Sequence, residues 1–192
     1  YLSMYKDGLC RVTENYYTMS LLFDDMNYDL EDEAEQLGIF GGWCSFYSYF
    51  DCAVHVQMTG INSENDSEAF ARALAVLERN EAYRALCAEY VQLLQTQYMR
   101  SNNGQTRIKL MTFGIESESV KGARSRLTRI GLDMQGNFKK IGVESVLMDG
   151  KERLSLLHAL FHMDDHAPFV FEWSWLPETG LSTKDFIAPG SF

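Results

Sequence analysis

His158, His162 and His166 stand at positions i, i+4 and i+8, with Asp164 and Asp165 between the last two. Two histidines one helical turn apart can chelate zinc from a single helix face. The residue after His158 is Ala159, so the His-Glu-x-x-His arrangement of a zinc protease is absent, and Pro168 ends the helix near His166. We therefore read the three as helix-end histidines, favoured by the negative end of the dipole, and assign no metal ligand. The alternative is a stand-alone interaction module with a helix-borne His158/His162/His166 metal site.

A phosphate loop needs Gly-x-x-x-x-Gly-Lys-Ser/Thr, so that backbone amides and one lysine surround the phosphates while a hydroxyl holds magnesium. Gly150-Lys151 is the nearest approach. Its first glycine position is Ser145, and its hydroxyl position is Glu152, whose charge repels phosphate. Gly180-Leu-Ser-Thr-Lys184 holds the ingredients in the wrong order. No Gly-x-Ser-x-Gly nucleophile elbow occurs. The expectation is a chain with no catalytic residue and no cofactor of its own.

Phe169-Val-Phe-Glu-Trp-Ser-Trp175 alternates aromatic and other residues, so Phe169, Phe171, Trp173 and Trp175 project to one side if the segment is extended. It is either a last strand or strap over the core, or a docking strip, since aromatic anchors dominate interface energetics. Beyond it, Leu181, Phe186, Ile187 and Phe192 have no obvious local partner, and the first three join Phe169, Phe171, Trp173 and Trp175 as the candidate interaction surface.

The elements that would position these groups follow from periodicity. Gly8 to Thr13 and Tyr16 to Asp24 read as two strands about a turn at Glu14-Asn15. An acidic run from Glu31 to Glu35 opens a helix, continued at helical spacing by Leu37, Phe40, Cys44 and Tyr47 with Trp43, Phe46 and Phe50 alongside. Ala53 to Ile61 is a strand with Val54, Val56 and Met58 on one face. A helix-rich region ends near Arg100, and Asn103-Gly104 turns into a strand over Thr106 to Glu116.

Ser119 to Ile141 is the clearest helix, with Val120, Ala123, Leu127, Ile130, Met134, Phe138 and Ile141 inward and Gly142 at its C-terminal cap. Val143 to Met148 is a strand, Asp149-Gly150 a turn, and Lys151 to Met163 a helix with Leu154, Leu157 and Phe161 inward. This order predicts an α+β fold: an antiparallel or mixed sheet with helices mainly on one face, ferredoxin-like with an inserted helical arm. Residues 1–176 would form that domain and residues 177–192 a tail leading away from it.

Net charge of −10 disfavours nonspecific nucleic-acid binding, which needs clustered cations. Lys121, Arg124, Arg126, Arg129, Lys139 and Lys140 share one helix and read as a solvated face rather than a DNA track. Cys10, Cys44, Cys52 and Cys87 form no Cys-x-x-Cys pair and read as reduced, mostly buried thiols. No apolar run reaches the ~20 residues of a membrane span. Lacking an initial Met, the chain reads as an excised segment.

Met4-Tyr-Lys-Asp-Gly-Leu-Cys-Arg-Val12, Tyr16-Tyr-Thr, Asp25-Met-Asn-Tyr28, Trp43-Cys44, Phe50-Asp51, Asn102-Asn-Gly104 and Thr112-Phe-Gly-Ile-Glu116 follow one another in order. Glu152-Arg153-Leu154, Leu157-His158, Phe161-His162 and Leu181-Ser-Thr-Lys-Asp-Phe-Ile-Ala-Pro189 complete the series. In order and spacing it resembles the N-terminal domain of the cytoplasmic ATPase of type IV secretion systems, the TrbE/CagE/TraC group, in its Gram-positive conjugative-element form. The chain departs from that pattern at Gly41-Gly42, where Glu-Gly is frequent, and in the Ala-rich stretch from Arg72 to Leu77. The resemblance implies a parent that hydrolyses ATP to drive DNA transfer in conjugation, with ATP and Mg²⁺ held in a C-terminal domain absent here. It also implies that this portion meets inner-membrane subunits of the channel and the parent's own ATPase domain. Homo-oligomer contacts and a cytoplasmic location at the inner face of the membrane are implied too.

Overall fold

A computed structural model of the chain describes residues 1–25, 28, 31–64, 88–93, 96, 105–162 and 168–188. They fall into two compact units, one formed by Tyr1–Thr59 with Lys109–Phe192 and the other by Gly60–Ile108.

The first unit is built on an antiparallel sheet. β1 (Ser3–Met4), β2 (Cys10–Arg11) and β3 (Tyr16–Phe23) form a meander, with Cys10 opposite Thr18 and Arg11 opposite Tyr17. Helix α1 (Glu33–Tyr47) then leads to β4 (His55–Glu64). β5 (Gln105–Glu116) returns beside β3, and α2 (Val120–Lys140) leads to β6 (Ser145–Leu147). The sheet order is β1-β2-β3-β5-β4, and β6 pairs with β3 beyond the point where β2 stops. Taken from β3 onward, the chain runs β-α-β-β-α-β with strands in the order β6-β3-β5-β4. This is the ferredoxin-like arrangement expected from the sequence, and the fold is α+β.

Period-two alternation places Tyr17, Met19 and Leu21 on one face of β3, opposite Ile115, Phe113 and Met111 of β5. α2 covers this face with Ala123, Leu127, Ile130, Met134 and Phe138, all buried, and Val120 and Ile141 pack at its two ends. Each large apolar side chain so covered contributes about 1.5–3 kcal/mol of transfer free energy. The ends of α2 are where the residues require. Ser119 Oγ accepts from the Gly122 amide at 3.1 Å, and Gly142 lies just past the last turn with φ of 76°.

The opposite face of β3 carries Thr18 and Ser20, buried although polar, and Ser20 Oγ bonds Thr112 Oγ1 at 2.8 Å. Helix α3 (Gly150–Phe161) and the following segment belong to this side, where Met4, Cys10, Leu154, Phe171 and Ile187 form a second core.

Several expectations need correction. Asp149-Gly150 is not a separate turn. Asp149 is the N-cap of α3, and its carboxylate and that of Glu152 exchange bonds with each other's amides at 2.8 and 2.7 Å. Phe161 faces solvent, because α3 ends there and its last turn extends past the covered surface. Phe169 to Trp175 is not a strand: residues 169–172 are irregular, Trp173-Ser174 turns, and α4 (Trp175–Thr179) begins at Trp175. Cys10 is buried, but Cys44 and Cys52 are exposed free thiols; Cys87 lies outside the described residues.

The second unit contains the continuations of β4 and β5, where Arg107 Nε donates to Asn62 Oδ1 at 3.3 Å, and a helical stretch over residues 88–93 with Val91 buried. The Asn103-Gly104 turn and the Arg72–Leu77 stretch lie outside the described residues. Among the described residues no helix is long and apolar enough to cross a membrane.

Candidate functional site

The aromatic strip is divided between core and surface. Phe171 is buried at the centre of the second core, with Trp173 edge-on at 5.0 Å and Phe186 edge-on at 5.1 Å between ring centroids. Phe169 stacks beside Phe171 at 6.0 Å, and Trp175 lies 6.2 Å from Phe186. Ile187 is buried in the same cluster. Phe171 and Ile187 are therefore packing residues and leave the candidate docking surface, while Phe169, Trp173, Trp175, Leu181 and Phe186 are half-buried. The segment after Leu181 also has local partners: Tyr1 Oη and Thr183 Oγ1 share a hydrogen bond of 3.0 Å, and Asp185 Oδ2 accepts from the Ser182 amide at 2.7 Å. Bonds from the Ser182 amide and hydroxyl hold the Asp185 carboxyl below its ordinary range. Residues 181–188 form a strap across the second core, contrary to the expectation of orphan apolar residues.

The histidines divide as well. His158 is buried in α3, and His162 stacks on it with centroids 4.0 Å apart and planes 18° apart. Imidazole lone pairs lie in the ring plane, so this stacking aims them along nearly parallel planes rather than at one point. His166, Asp164 and Asp165 lie outside the described residues. Among the described residues no group of three His, Cys, Asp or Glu side chains is placed to hold a metal ion.

Among the described residues, α1 carries an uncovered apolar stripe, on a helix whose spacing alone did not say which side is buried. Phe46 is buried, and Trp43 and Phe50 pack with it against Phe138 and the first core. The stripe Leu37, Phe40 and Tyr47 is exposed, at 66%, 63% and 51%, and Cys44 lies with it. The signal that could have found this face is the lack of any charge between Glu35 and Asp51: a helix apolar all round cannot bury every side against a single layer.

A groove of about 730 Å³ runs between α1 and the end of α2, lined by Glu31, Glu35, Gly38, Gly42, Asn137 and Lys140 among others. A methyl group on Gly42 would come within 2.2 Å of Ile141 Cγ2, so this glycine lets the two helices approach, whereas Cβ atoms at Gly38 and Gly41 would meet nothing within 4 Å. At the other end of α1, Tyr49 donates to Asp133 Oδ2 at 2.8 Å beside Arg126 and Arg129. Burial first, then the bond to Asp133 and its charge, push the Tyr49 phenol up to about 12.

The cationic side chains of α2 are a solvated face, and one of them, Arg124, pairs with Asp7 at 2.6 Å. No protein-family model matches the chain, and no curated protein matches it.

Proposed function

We propose that the chain is a non-catalytic docking domain from the N-terminal region of a conjugative-transfer ATPase of the type IV secretion class. The reading is carried by the ordered series of segments from Met4–Val12 to Leu181–Pro189. Its two ends are not scattered over the fold: Met4, Cys10 and Ile187 share one core, and Tyr1 bonds Thr183. The first and last segments of the series thus meet in one core, as a pattern that spans a domain requires.

In this reading the domain sits at the inner face of the membrane, meets channel subunits there, and the ATP and Mg²⁺ chemistry resides in a further domain. The test is the coding sequence past Phe192. An in-frame phosphate loop supports the reading, and a stop codon directly after Phe192 sinks it. Mg-ATP gives a second test, since a ligand at ~100 times its dissociation constant stabilises by about 2.7 kcal/mol. Millimolar Mg-ATP should leave the melting temperature of residues 1–192 unchanged, and a reproducible rise would assign a nucleotide site to this portion.

A further inference from the structure

We infer that the outer face of α1 seats a cationic amphipathic helix of another protein. The inference deepens the docking reading, on which it rests in taking another protein's segment as the occupant, and names both the face and the chemistry of the partner.

A helix that is apolar all round is ordinarily covered on all sides. α1 carries no charge after Glu35, yet only its Trp43–Phe46 side is packed. Leu37, Phe40 and Tyr47 stand in solvent on the other side. Glycine weakens a helix interior, and Gly42 has a reason in Ile141, but nothing among the described residues requires Gly38 or Gly41 to be small. With Ala34 and Ser45, both exposed, they form a shallow strip beside Leu37 and Phe40. Such a strip lets a second helix bring its backbone close while its larger side chains pack on the flanking rings.

The charge beside this face selects the occupant. Glu33 continues the stripe itself, four residues before Leu37 and seven before Phe40, while Glu31 and Glu35 flank it on the α2 side and Asp32 caps the helix. All four are exposed, and among the described residues none of them is in an ion pair. Lys140 lines the groove with Glu31 and Glu35, but its ammonium donates to Asn137 Oδ1 at 3.2 Å. The Glu31 carboxyl is pushed above its ordinary range, first by the side-chain hydrogen bond with Glu35 and then by that neighbour's charge. A lysine or arginine brought against this group relieves the crowding. A membrane surface fits poorly, because anionic headgroups repel the same carboxylates. A second copy brings a further −10 of net charge to the contact. A helix with an apolar stripe over Leu37, Phe40 and Tyr47 and cations over residues 31–35 satisfies both halves of the face.

The experiment uses a fluorescein-labelled peptide of about 18 residues, long enough to form a helix on binding. Leucines stand at i, i+3, i+4 and i+7 spacing and lysines elsewhere. It is titrated with the 192-residue chain and followed by anisotropy. Saturable binding at about 10 μM or tighter is expected. Phe40→Glu and, separately, Leu37→Glu weaken it at least about tenfold with unchanged melting temperature, since both side chains are exposed. Replacing Glu31, Glu33 and Glu35 by Gln weakens it and flattens its salt dependence. Leu132→Glu, equally exposed on α2, leaves it unchanged.

The inference is overturned by absent binding, by equal binding of a peptide of the same composition in shuffled order, or by indifference to Phe40→Glu and Leu37→Glu. It is equally overturned if sedimentation shows a dimer of this chain that Phe40→Glu dissolves, or if phosphatidylglycerol vesicles capture the wild type and not that variant. Either peptide result leaves the phosphate-loop test independent, so the two readings fail separately.

Discussion

Arg153 on α3 reaches the middle of β3, donating from Nη1 to the Thr18 carbonyl at 3.0 Å and from Nη2 to Thr18 Oγ1 at 3.2 Å. Nη1 also donates to the Gly8 carbonyl at 2.8 Å, so one guanidinium ties α3 to β3 and to the turn before β2. Burial lowers its pKa, and among the described residues no carboxylate pairs with it. Carbonyl dipoles and a hydroxyl hold the cation instead.

Removing this group takes a charged donor from three part-buried acceptors. Arg153→Met is expected to destabilise the first unit by about 2–4 kcal/mol through the lost bonds to that charged donor. Arg153→Lys should recover only part of this, because an ammonium cannot reproduce the planar fork that reaches both residues. Urea unfolding of the two variants measures the difference, and equal stability of Arg153→Met and wild type would show the bonds to be dispensable.

The strap after Leu181 gives a second expectation, opposite in sign to the one periodicity encouraged. Deleting Leu181 to Phe192 removes Phe186 and Ile187 from the second core and uncovers Phe171, so the truncated chain should melt at a clearly lower temperature. Ile187→Ala alone should cost about 2–4 kcal/mol, as for a buried aliphatic side chain cut to Ala. Trp173→Ala, half-buried against the same cluster, should also destabilise. A deletion with no effect on melting would return residues 181–192 to the status of a tail.

What the sequence disclosed depended on how many surfaces each element covers. α2 lies between solvent and a single layer, so its apolar residues recur on one stripe, and Ser119 and Gly142 mark its ends. β3 and β5 alternate because the first core fills one face. α1 defeated the same reasoning because its residues are apolar in every direction, so spacing could not distinguish Phe46, which is buried, from Phe40, which is not. The strap was illegible for another reason. The contacts that bury it are long-range: Ile187 meets Met4 and Cys10 from the opposite end of the chain, and no local period records such a meeting. The histidines follow the same logic, since His158 on α3 packs against Phe169 from the segment beyond it, with ring centroids 5.3 Å apart.

Neighbouring glycines in α1 should respond in opposite directions. Gly41→Ala puts a methyl group into open space and should stabilise by about 0.5–1 kcal/mol through the better helix former. Gly42→Ala drives its Cβ to within 2.2 Å of Ile141 Cγ2, a branched methyl that cannot swing clear, and the overlap should outweigh the propensity gain. Melting temperatures of the two single variants test the α1–α2 contact, and a rise in both would show that the helices stand further apart.

The bond from Tyr49 to Asp133 makes stability depend on alkaline pH. The folded phenol titrates at about 12, above its ordinary value near 10, so the folded state holds this proton more tightly than the unfolded chain does. Stability from this source is fully present below about pH 10 and is lost as pH rises towards 12, because the unfolded state then releases the proton first. Tyr49 is more than one-third exposed, so solvent screens the interaction and keeps its contribution small. Tyr1 and Tyr16 are also raised by burial, so the wild-type profile alone does not isolate Tyr49. The informative quantity is the difference between wild type and Tyr49→Phe, which should be constant from pH 7 to about pH 9 and change above it. Denaturant midpoints collected across that range provide the comparison. A difference that stays constant up to pH 12 would mean that Tyr49 loses its proton as readily in the fold as in the open chain, and that the Asp133 contact does not hold it.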